Sequence, residues 1–472
     1  MASSPSRLNR KSQIFRFQGT MDLSGQIPEI HAEFIGGRTT CTCVECSVGY
    51  GGWVGMVQIL YSTIKRLVRH GNLTMIDPRG QEHRIGDGKG TRVVARVTDR
   101  KTERALVIDP DLAFGEAWMD GTLRVEEGSL ADLLEILMRA GEPKNFVFGK
   151  AMFVARYAIR RFRQRNNALK AKRNVAHHYD LSGKLYDLFL DADRHYSCAY
   201  FERPEMSIDE AQAAKKRHIA AKLLLSPGQH ILDIGSGWGG LGLYLTRMGE
   251  AGSVMGVTLS EEQHALSNAR AREAGLADRL AFELMDYRAI DRTFDRIVSV
   301  GMFEHVGVVH YDDYFSKVRA LLKDDGVMLL HSIGRADGPG ITNRWTEKYI
   351  FPGGYIPALS EVLPAIERQG LHVTDIEILR MHYAETLKAW RERFLARREE
   401  ALALYDERFC RMWEFYLAGS EMAFRHQGLM VFQIQLSPDP NAVPLTRDYI
   451  GEAEKALKRK EQELGIDKAA AE

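Results

Sequence analysis

The chain has 472 residues, 45% of them hydrophobic, which is enough for two or three domains that each bury a core. Its 64 Lys and Arg residues nearly balance its 63 Asp and Glu residues, so overall charge excludes a chain-wide polyanion-binding role. Five cysteines, an odd number in a chain of this length, argue against a disulfide framework and favour a reducing compartment.

Residues 1–52 are expected to form a flexible extension, because they carry no sustained apolar period. The start "MASSPSRLNRKSQ" lacks the apolar core of a signal peptide, and no apolar run approaches the ~20 residues of a membrane-spanning helix. We therefore expect a cytoplasmic protein whose contact with a membrane is peripheral. Cys41, Cys43 and Cys46 offer soft ligands, and His31 is a conceivable fourth, but we expect no metal site there.

Residues 53–150 are predicted to form a small α+β domain. Apolar residues recur with helical spacing from Val54 to Leu67. The strand-like segments "NLTMIDP", "TRVVARVTD" and "ALVIDP" follow, and a helix begins after Ser129, which we expect to cap it. We find no catalytic cluster in this domain.

Two charged segments flank the larger part of the chain. Residues 151–173 contain eight Lys and Arg residues, no acid and interleaved apolar residues, which predicts a basic amphipathic linker helix. Such a helix is either solvated or a surface for anionic lipid or nucleic acid. Residues 438–472 are predicted to be a charged, helical and solvated tail.

The segment "QHILDIGSGWGGLGLYLTRM" predicts a buried strand, a glycine turn and an apolar helix. Gly235, Gly237 and Gly240 satisfy the G-x-G-x-x-G spacing in this context. Glycines let the backbone approach a nucleotide closely, and the helix N-terminus attracts polar or anionic groups. A nucleotide-type cofactor is therefore favoured over a purely structural turn. The next strand, "GSVMGVTLS", ends without the acid that dinucleotide enzymes place there, which disfavours NAD.

Strands alternate with helices through residues 174–437, which predicts an α/β domain with a doubly wound parallel sheet. Ligands of such sheets gather at the carboxyl ends of the strands. Asp286, Glu304 and His331 come at or just beyond predicted strand ends. We expect these side chains to belong to one site rather than to be separately satisfied polar groups.

A series of segments in fixed order carries a family resemblance over roughly residues 174–435. They are "VAHHYDLSGKLYDLFLD", "HYSCAYF", "LDIGSGWGG", "GVTLSEEQ", "DYR", "FDRIVSVGMFEHVG", "HSIG", "YIFPGGYIP" and "HYAETLKAW". In these segments the chain resembles the cyclopropane-fatty-acid-phospholipid synthases and the related mycolic acid methyltransferases. The smaller domain, with "FGEAWMDG", looks like the amino-terminal domain of the bacterial synthases. The resemblance implies a Rossmann-like class I S-adenosylmethionine-dependent methyltransferase domain.

The resemblance also implies a cofactor site for S-adenosylmethionine. It assigns to this site Tyr196 and Ser197 on a lid, Gly235 and Gly237 in the turn, Thr258, Leu259 and Gln263 at the ribose, and Asp286 and Tyr287 at the adenine. A strand-end acid is normally absent from this family, so its absence here agrees with the assignment.

A bicarbonate ion is the second group that the resemblance implies. Its ligands would be Cys198, Glu304, His331, the backbone of Ile333, and Tyr383. In this role Glu304 accepts the bicarbonate O–H, and Cys198 is a ligand rather than a nucleophile. Some family members carry a cysteine where this chain has Ser420, so covalent catalysis at that position is excluded.

The activity implied is methyl transfer to the cis double bond of an unsaturated acyl chain in a membrane phospholipid. Bicarbonate would then take a proton and a cyclopropane ring would close, in an enzyme peripherally associated with the inner membrane. The same fold could instead give a methyl- or methylene-branched lipid.

A nucleic-acid methyltransferase is disfavoured, because "SVGMFEH" follows the fourth strand in place of an N/D-P-P-Y motif or a catalytic cysteine. A non-catalytic lipid-binding protein is disfavoured by the intact ligand set. The sequence leaves open the double-bond position, the head group and the oligomeric state, a homodimer included.

Overall fold

The computed structural model describes residues 60–140 and 182–465. The predicted extension at 1–52, with its three cysteines, and the predicted basic linker at 151–173 lie outside the described residues. Within the described ranges, no helix is long and apolar enough to cross a lipid bilayer.

The small domain is a four-stranded sheet packed against helices. Its strands lie in the order β2-β1-β3-β4, with β1 parallel to β3 and the other pairs antiparallel. The strands are β1 (Asn72–Ile76), β2 (Glu82–Ile85), β3 (Arg92–Val97) and β4 (Leu123–Glu127). The helices are α1 (Arg100–Ile108), α2 (Pro110–Met119) and α3 (Leu130–Arg139), and residues 60–67 are also helical.

One strand prediction in this domain is wrong, and one cap prediction is confirmed. The segment "ALVIDP" was expected to be a strand, but its first four residues end helix α1. This helix begins after Asp99, whose carboxylate accepts a hydrogen bond from the backbone N–H of Thr102. The stabilisation from this cap outweighs the preference of the later β-branched residues for a strand. Ser129 caps α3 in a reciprocal arrangement with Asp132.

The larger domain is built on a seven-stranded sheet in the order β10-β11-β9-β8-β5-β6-β7. Strands β5 to β9 are parallel, whereas β11 runs antiparallel between β9 and β10. The strands are β5 (His230–Ile234), β6 (Ser253–Thr258), β7 (Leu280–Leu284), β8 (Phe294–Val300), β9 (Leu322–Arg335), β10 (His372–Leu379) and β11 (Leu429–Ser437). The predicted doubly wound α/β class is confirmed.

The helices of this domain cover the sheet and build the apolar region beside it. They are α4 (Gly183–Tyr186), α5 (Ile208–Lys222), α6 (Gly240–Met248), α7 (Glu261–Glu273), α8 (Tyr311–Leu321), α9 (Arg344–Tyr349), α10 (Leu359–Glu367), α11 (His382–Ala396), α12 (Arg398–Leu404), α13 (Glu407–His426) and α14 (Asp448–Glu463). The central strands are almost wholly buried, as expected of parallel strands covered on both faces.

The strand order reverses beside β5, which pairs with β6 on one edge and with β8 on the other. Such a reversal leaves a crevice at the carboxyl ends of the strands, where ligands of doubly wound sheets bind. The glycine turn after β5 lies at this crevice.

The two domains pack directly on each other through α2, α3, α9 and α13. The indole N–H of Trp118 on α2 donates to the carbonyl oxygen of Arg411 on α13 at 3.1 Å. Gly115 faces the indole of Trp345 on α9, and a Cβ at that glycine would collide with it. The small domain therefore rests against the helices that border the apolar region of the larger one.

The prediction of a solvated tail is wrong for residues 438–465. Helix α14 packs against α5, and both Ile450 and Glu461 on it are buried. The Glu461 carboxylate accepts hydrogen bonds from the Arg217 guanidinium at 2.8 and 3.0 Å and from the Tyr244 hydroxyl at 2.5 Å. A charged residue on the buried face is tolerated because its partner is buried with it.

Candidate active site

The turn between β5 and α6 needs glycine for two different reasons. Gly235 has φ +82°, and a Cβ there would lie 2.8 Å from the Met302 side chain, so both conformation and space demand glycine. Gly237 has φ +55°, but a Cβ there would meet open space. The backbone N–H groups of Gly235 and Ser236 both donate to Val257 on β6 at 3.0 Å, which fixes the turn at the strand ends.

A cavity opens at this turn, bounded by the ends of β5, β6, β7 and β8 and by residues 193–197. All nine residues predicted to contact a cofactor line it, namely Tyr196, Ser197, Gly235, Gly237, Thr258, Leu259, Gln263, Asp286 and Tyr287. The structure therefore brings together residues that lie far apart in the chain.

The wall formed by β6 and α7 has polar groups but no strand-end acid. The hydroxyl of Thr258 donates to the side-chain oxygen of Gln263 at 2.8 Å, and Ser260 caps α7. This hydrogen bond orients two groups that could meet ribose hydroxyls.

The wall after β7 holds a paired carboxylate and an aromatic ring. Arg288 donates to Asp286 through its Nε at 2.8 Å and its backbone N–H at 3.0 Å. Burial raises the pKa of Asp286, but these hydrogen bonds outweigh it and the pKa lies below its usual range. Tyr287 packs edge-on against Tyr314, with ring centroids 5.5 Å apart.

Helix α5 holds the lid segment through two residues that the sequence analysis missed. Lys215 donates to the Ser197 hydroxyl at 2.8 Å, and Gln212 donates to the Ser197 carbonyl oxygen at 3.0 Å. Lys215 also lines the cavity, and burial lowers its pKa to about 8. No signal in the sequence shows that this face of α5 meets the lid.

Asp233, at the end of β5, is a third residue that the sequence analysis missed. It lines the cavity, and one of its buried carboxylate oxygens has no hydrogen-bond partner among the described residues. Burial raises its pKa to about 7. A position just before the glycine turn could have signalled it, because strand ends face the crevice. An unpartnered carboxylate beside a cavity suits a cationic or N–H-bearing ligand group, which fits S-adenosylmethionine.

None of the five residues predicted to hold a bicarbonate ion is among the lining residues of the cavity. Ile333 donates its backbone N–H to Glu304 at 2.7 Å. His331 lies two residues before Ile333 on the same face of β9. The expectation that His331 ends a strand is wrong, because β9 continues to Arg335.

Cys198 and Tyr383 lie in the apolar core of this domain. Both belong, with Ile333, to one buried apolar cluster rich in aromatic rings. The Ala199 backbone N–H donates to the Thr386 hydroxyl at 3.0 Å, which holds the Cys198 segment against α11. Burial raises the pKa of the Cys198 thiol well above its usual range, so it is not a thiolate nucleophile. Ser420 lies partly buried on α13.

Two buried polar atoms in this group have no partner among the described residues: Oε2 of Glu304 and Nε2 of His331. Burial raises the pKa of Glu304 to about 7, although the Ile333 N–H opposes this, and burial lowers the pKa of His331 to about 3. Buried polar atoms are rarely left unpaired, so the pair suits a small polar guest. A carboxyl oxygen and an imidazole nitrogen fit bicarbonate.

Asp191, Asp193 and His195 are spaced as metal ligands could be. However, Asp193 forms ion pairs with Lys216 and Arg270, and Asp191 accepts hydrogen bonds from His195. Basic side chains therefore hold the position that a cation would take.

The fold and the cavity define a class I S-adenosylmethionine-dependent methyltransferase. The family model of mycolic acid cyclopropane synthetase matches residues 166–434, so the chain belongs to that family. It is an S-adenosylmethionine-dependent C-methyltransferase.

Individual relatives agree with this assignment. The chain is 36% identical over 348 residues to a probable fatty acid methyltransferase from Pseudomonas putida, covering 71% of this chain and 85% of the relative. It is 36% identical over 344 residues to the cyclopropane-fatty-acyl-phospholipid synthase of Escherichia coli K12, covering 72% and 87%. The crystal structure of the mycolic acid cyclopropane synthase CmaA1 complexed with SAH and CTAB matches with a TM-score of 0.54 and 35% identity, covering 56% of this chain and 97% of that one.

Proposed function

We propose that this protein methylates the cis double bond of unsaturated acyl chains in membrane phospholipids and closes a cyclopropane ring. The observation that carries the proposal is a crevice for the cofactor together with the unpartnered buried atoms of Glu304 and His331, which Ile333 connects to an apolar cluster. A relative named as a cyclopropane-fatty-acyl-phospholipid synthase supports the lipid substrate.

S-adenosylmethionine supplies an electrophilic methyl group when bound. Tyr196 and Ser197 on the lid, the glycine turn, and the walls after β6 and β7 would hold it, and Asp233 would accept from its cationic end. Lys215 and Gln212 would keep the lid in place through Ser197.

An isolated double bond is a weak nucleophile, and its methylation leaves a carbocation that water would capture. The acyl chain therefore needs a dry site. The cluster around Cys198 and Tyr383 offers one, since its members are nearly all apolar or aromatic.

Ring closure requires a base that removes a proton from the new methyl group. We assign this role to a bicarbonate ion, with Glu304 accepting its O–H and His331, the Ile333 backbone, Tyr383 and Cys198 as further ligands. The unpartnered atoms of Glu304 and His331 support this assignment. The backbone N–H of Ile333 already donates to Glu304, so this one hydrogen would be shared between the Glu304 carboxylate and the bicarbonate ion.

A branched-chain product is the second candidate. A relative of equal identity is named a probable fatty acid methyltransferase, so identity favours neither product. A ring forms when the new methyl group loses a proton directly, a methylene branch forms when a hydride shift precedes that loss, and a methyl-branched alkene forms when the acyl chain loses the proton. The hydride shift and the position of the base, rather than the methyl transfer itself, would therefore decide between the products.

We propose that the basic segment at 151–173 recruits the protein to anionic membrane surfaces. Each of its eight cations could contribute about 1 kcal/mol near such a surface, reduced by salt. Binding to anionic vesicles should fall when several of these arginines become glutamine. The exposed pair Arg84→Gln and Lys89→Gln in the small domain is the matched control. Vesicle binding that is unchanged in the linker variant would refute recruitment.

One incubation tests the proposed reaction. The protein, S-adenosylmethionine and vesicles of mixed unsaturated phospholipids are combined, and the acyl chains are analysed by mass spectrometry before and after ozonolysis. A gain of one CH2 with resistance to ozonolysis indicates a ring, whereas a gain with cleavage indicates a methylene or methyl-branched alkene. If the acyl chains remain unmodified whatever the position of their double bond, the proposal is contradicted.

A further inference from the structure

A chain of buried polar side chains runs from His331 towards the C-terminal helix. Nδ1 of His331 lies 3.1 Å from Nε2 of Gln433 on the neighbouring strand β11. The Gln433 side-chain oxygen accepts from the Lys222 ammonium on α5 at 2.9 Å. Lys222 is also ion-paired with Glu377 on β10, and His331, Gln433 and Lys222 are at most 2% exposed.

Lys222 fixes which group donates in each hydrogen bond of this series of side chains. An ammonium can only donate, so the Gln433 oxygen must face Lys222 and the Gln433 NH2 must face His331. That NH2 can only donate, so Nδ1 of His331 must accept and carries no hydrogen. Burial lowers the pKa of His331 to about 3, which leaves the ring neutral with a single N–H. That hydrogen must therefore be on Nε2.

The outer end of this series of side chains supplies the carboxylate that pairs with Lys222. His218 lies between Glu377 at 2.7 Å and Glu454 of α14 at 2.6 Å. Burial raises the pKa of Glu377, but His218 and Lys222 outweigh it and hold the value at about 2. Glu377 is therefore a carboxylate, and an ammonium is its natural partner.

We propose that Gln433 and Lys222 are positioning residues that hold His331 as its Nε2–H tautomer. The Nε2 atom has no partner among the described residues, so its N–H is a donor aimed at the group that occupies the site. The inference rests on the proposed function only in taking that group to be the base that closes the ring. The tautomer itself requires neither cofactor nor substrate.

Gln433→Glu reverses the hydrogen bond without changing the volume. A carboxylate can only accept, so it keeps Lys222 as a partner but requires His331 to carry its hydrogen on Nδ1. Nε2 then presents a lone pair to the site. We expect turnover to fall about ten- to a hundredfold, as for loss of one charge-assisted hydrogen bond, with S-adenosylhomocysteine affinity within about twofold of the parent.

Gln435→Glu is the matched control: Gln435 is equally buried two residues along β11, and its amide bonds to the backbone oxygen of Lys222 and the Tyr449 hydroxyl rather than to His331 or the Lys222 ammonium. Lys222→Met is the second variant, since it frees the Gln433 amide to rotate and should give a mixture of both tautomers. The measurement is a long-range proton–nitrogen NMR spectrum of 15N-histidine-labelled protein without ligands. The His331 signals are assigned by their loss in His331→Asn.

The expected result is the Nε2–H tautomer in the parent and in Gln435→Glu, and the Nδ1–H tautomer in Gln433→Glu. A parent spectrum with the Nδ1–H form, or a Gln433→Glu spectrum identical to the parent, would overturn the proposal. If Gln433→Glu fails to fold, Lys222→Met decides the matter: a mixture of both tautomers supports the proposal, and the parental Nε2–H form alone overturns it. A branched lipid product with the Nε2–H tautomer would count against the proposed reaction and leave this inference standing.

Discussion

Ile333 donates its backbone N–H to Oε1 of Glu304 across 2.7 Å, which ties the turn after β8 to strand β9. The other carboxylate oxygen of Glu304 is buried without a partner among the described residues. Burial raises the pKa of this carboxyl to about 7, although the hydrogen bond from the Ile333 N–H opposes the shift. In the proposed function, this unpartnered oxygen is the one that would accept the O–H of the bicarbonate ion.

The first prediction concerns Glu304→Gln, which should cripple turnover while leaving cofactor affinity nearly intact. The amide keeps the volume and can still accept from Ile333, but its NH2 then occupies the free position. Loss of a charge-assisted hydrogen bond costs about 1.5–3 kcal/mol, or about ten- to a hundredfold in rate. Initial rates and S-adenosylhomocysteine calorimetry measure the two effects.

Bicarbonate provides the control for this prediction. Parent activity should fall in carbonate-depleted buffer and recover on adding bicarbonate, whereas Glu304→Gln should need more bicarbonate or not recover. The exposed Glu283→Gln, on β7 and outside the cavity lining, should behave as the parent. Parental turnover in Glu304→Gln, with no bicarbonate dependence in either protein, would contradict the assigned base.

The second prediction separates cofactor binding from folding at the glycine turn. Gly237→Ala places its Cβ in open space at the cavity, so it should weaken S-adenosylhomocysteine binding at a folding cost of about 1 kcal/mol. Gly275→Ala is matched, since it also has a positive φ and open space but lies outside the cavity lining. Equal affinity in the two variants would make the turn merely structural. Gly235→Ala should harm both binding and stability, because its Cβ meets Met302.

The third prediction concerns the pH dependence set by Asp233. Its pKa in the folded chain is about 7 against an ordinary 3.8, so the folded state binds the proton more tightly. Between these two values the folded state holds more protons than the unfolded state, and stability must fall as pH rises. Asp233→Asn has no carboxyl group to titrate at this position, so it should not show this fall in stability. Without ligand, it should gain stability over the parent, on the order of a few kcal/mol at pH 8 and little at pH 4.

The same substitution should weaken S-adenosylhomocysteine binding, because the cationic end of the ligand loses its carboxylate. Thermal unfolding from pH 4 to 8 and calorimetry at pH 8 measure the two effects. The exposed Asp291→Asn controls for the general loss of a negative charge. A stability difference that does not grow with pH would show that Asp233 is ionised throughout.

The central strands and the glycine turn could be predicted from the sequence because their signals are local. A short apolar run, a G-x-G-x-x-G spacing and an apolar helix follow one another within the twenty residues of "QHILDIGSGWGGLGLYLTRM". The segment "ALVIDP" was misassigned because a short β-branched run fits either period and only the Asp99 cap decides.

Residues whose roles arise from distant packing could not be predicted. Gln433 meets His331 only because β11 inserts antiparallel between β9 and β10, and 102 positions separate the two residues in the chain. Lys215 reaches the lid only through the packing of α5. The buried face of α14 could not be predicted for the same reason. In the sequence Glu461 looks like a solvated charge, and only the structure shows that Arg217 faces it.

The last prediction tests that buried pair. Glu461→Gln keeps the volume but removes the charge that accepts from Arg217 and Tyr244, while Arg217 retains Glu202 at 2.7 Å. A hydrogen bond to a charged group contributes about 1.5–3 kcal/mol, so the denaturation midpoint should fall by the corresponding amount. Turnover of the folded protein should remain at the parental level, because α14 contributes no residue to the cavity lining.

Glu463→Gln, an exposed position on the same helix, is the control and should lie within about 0.5 kcal/mol of the parent. Guanidinium unfolding followed by tryptophan fluorescence compares the three proteins. Equal midpoints for Glu461→Gln and Glu463→Gln would mean that α14 is held by its apolar contacts, with Ile450 the residue to test next. A loss specific to Glu461→Gln would instead make the ion pair the anchor of the C-terminal helix, since the control retains that contact.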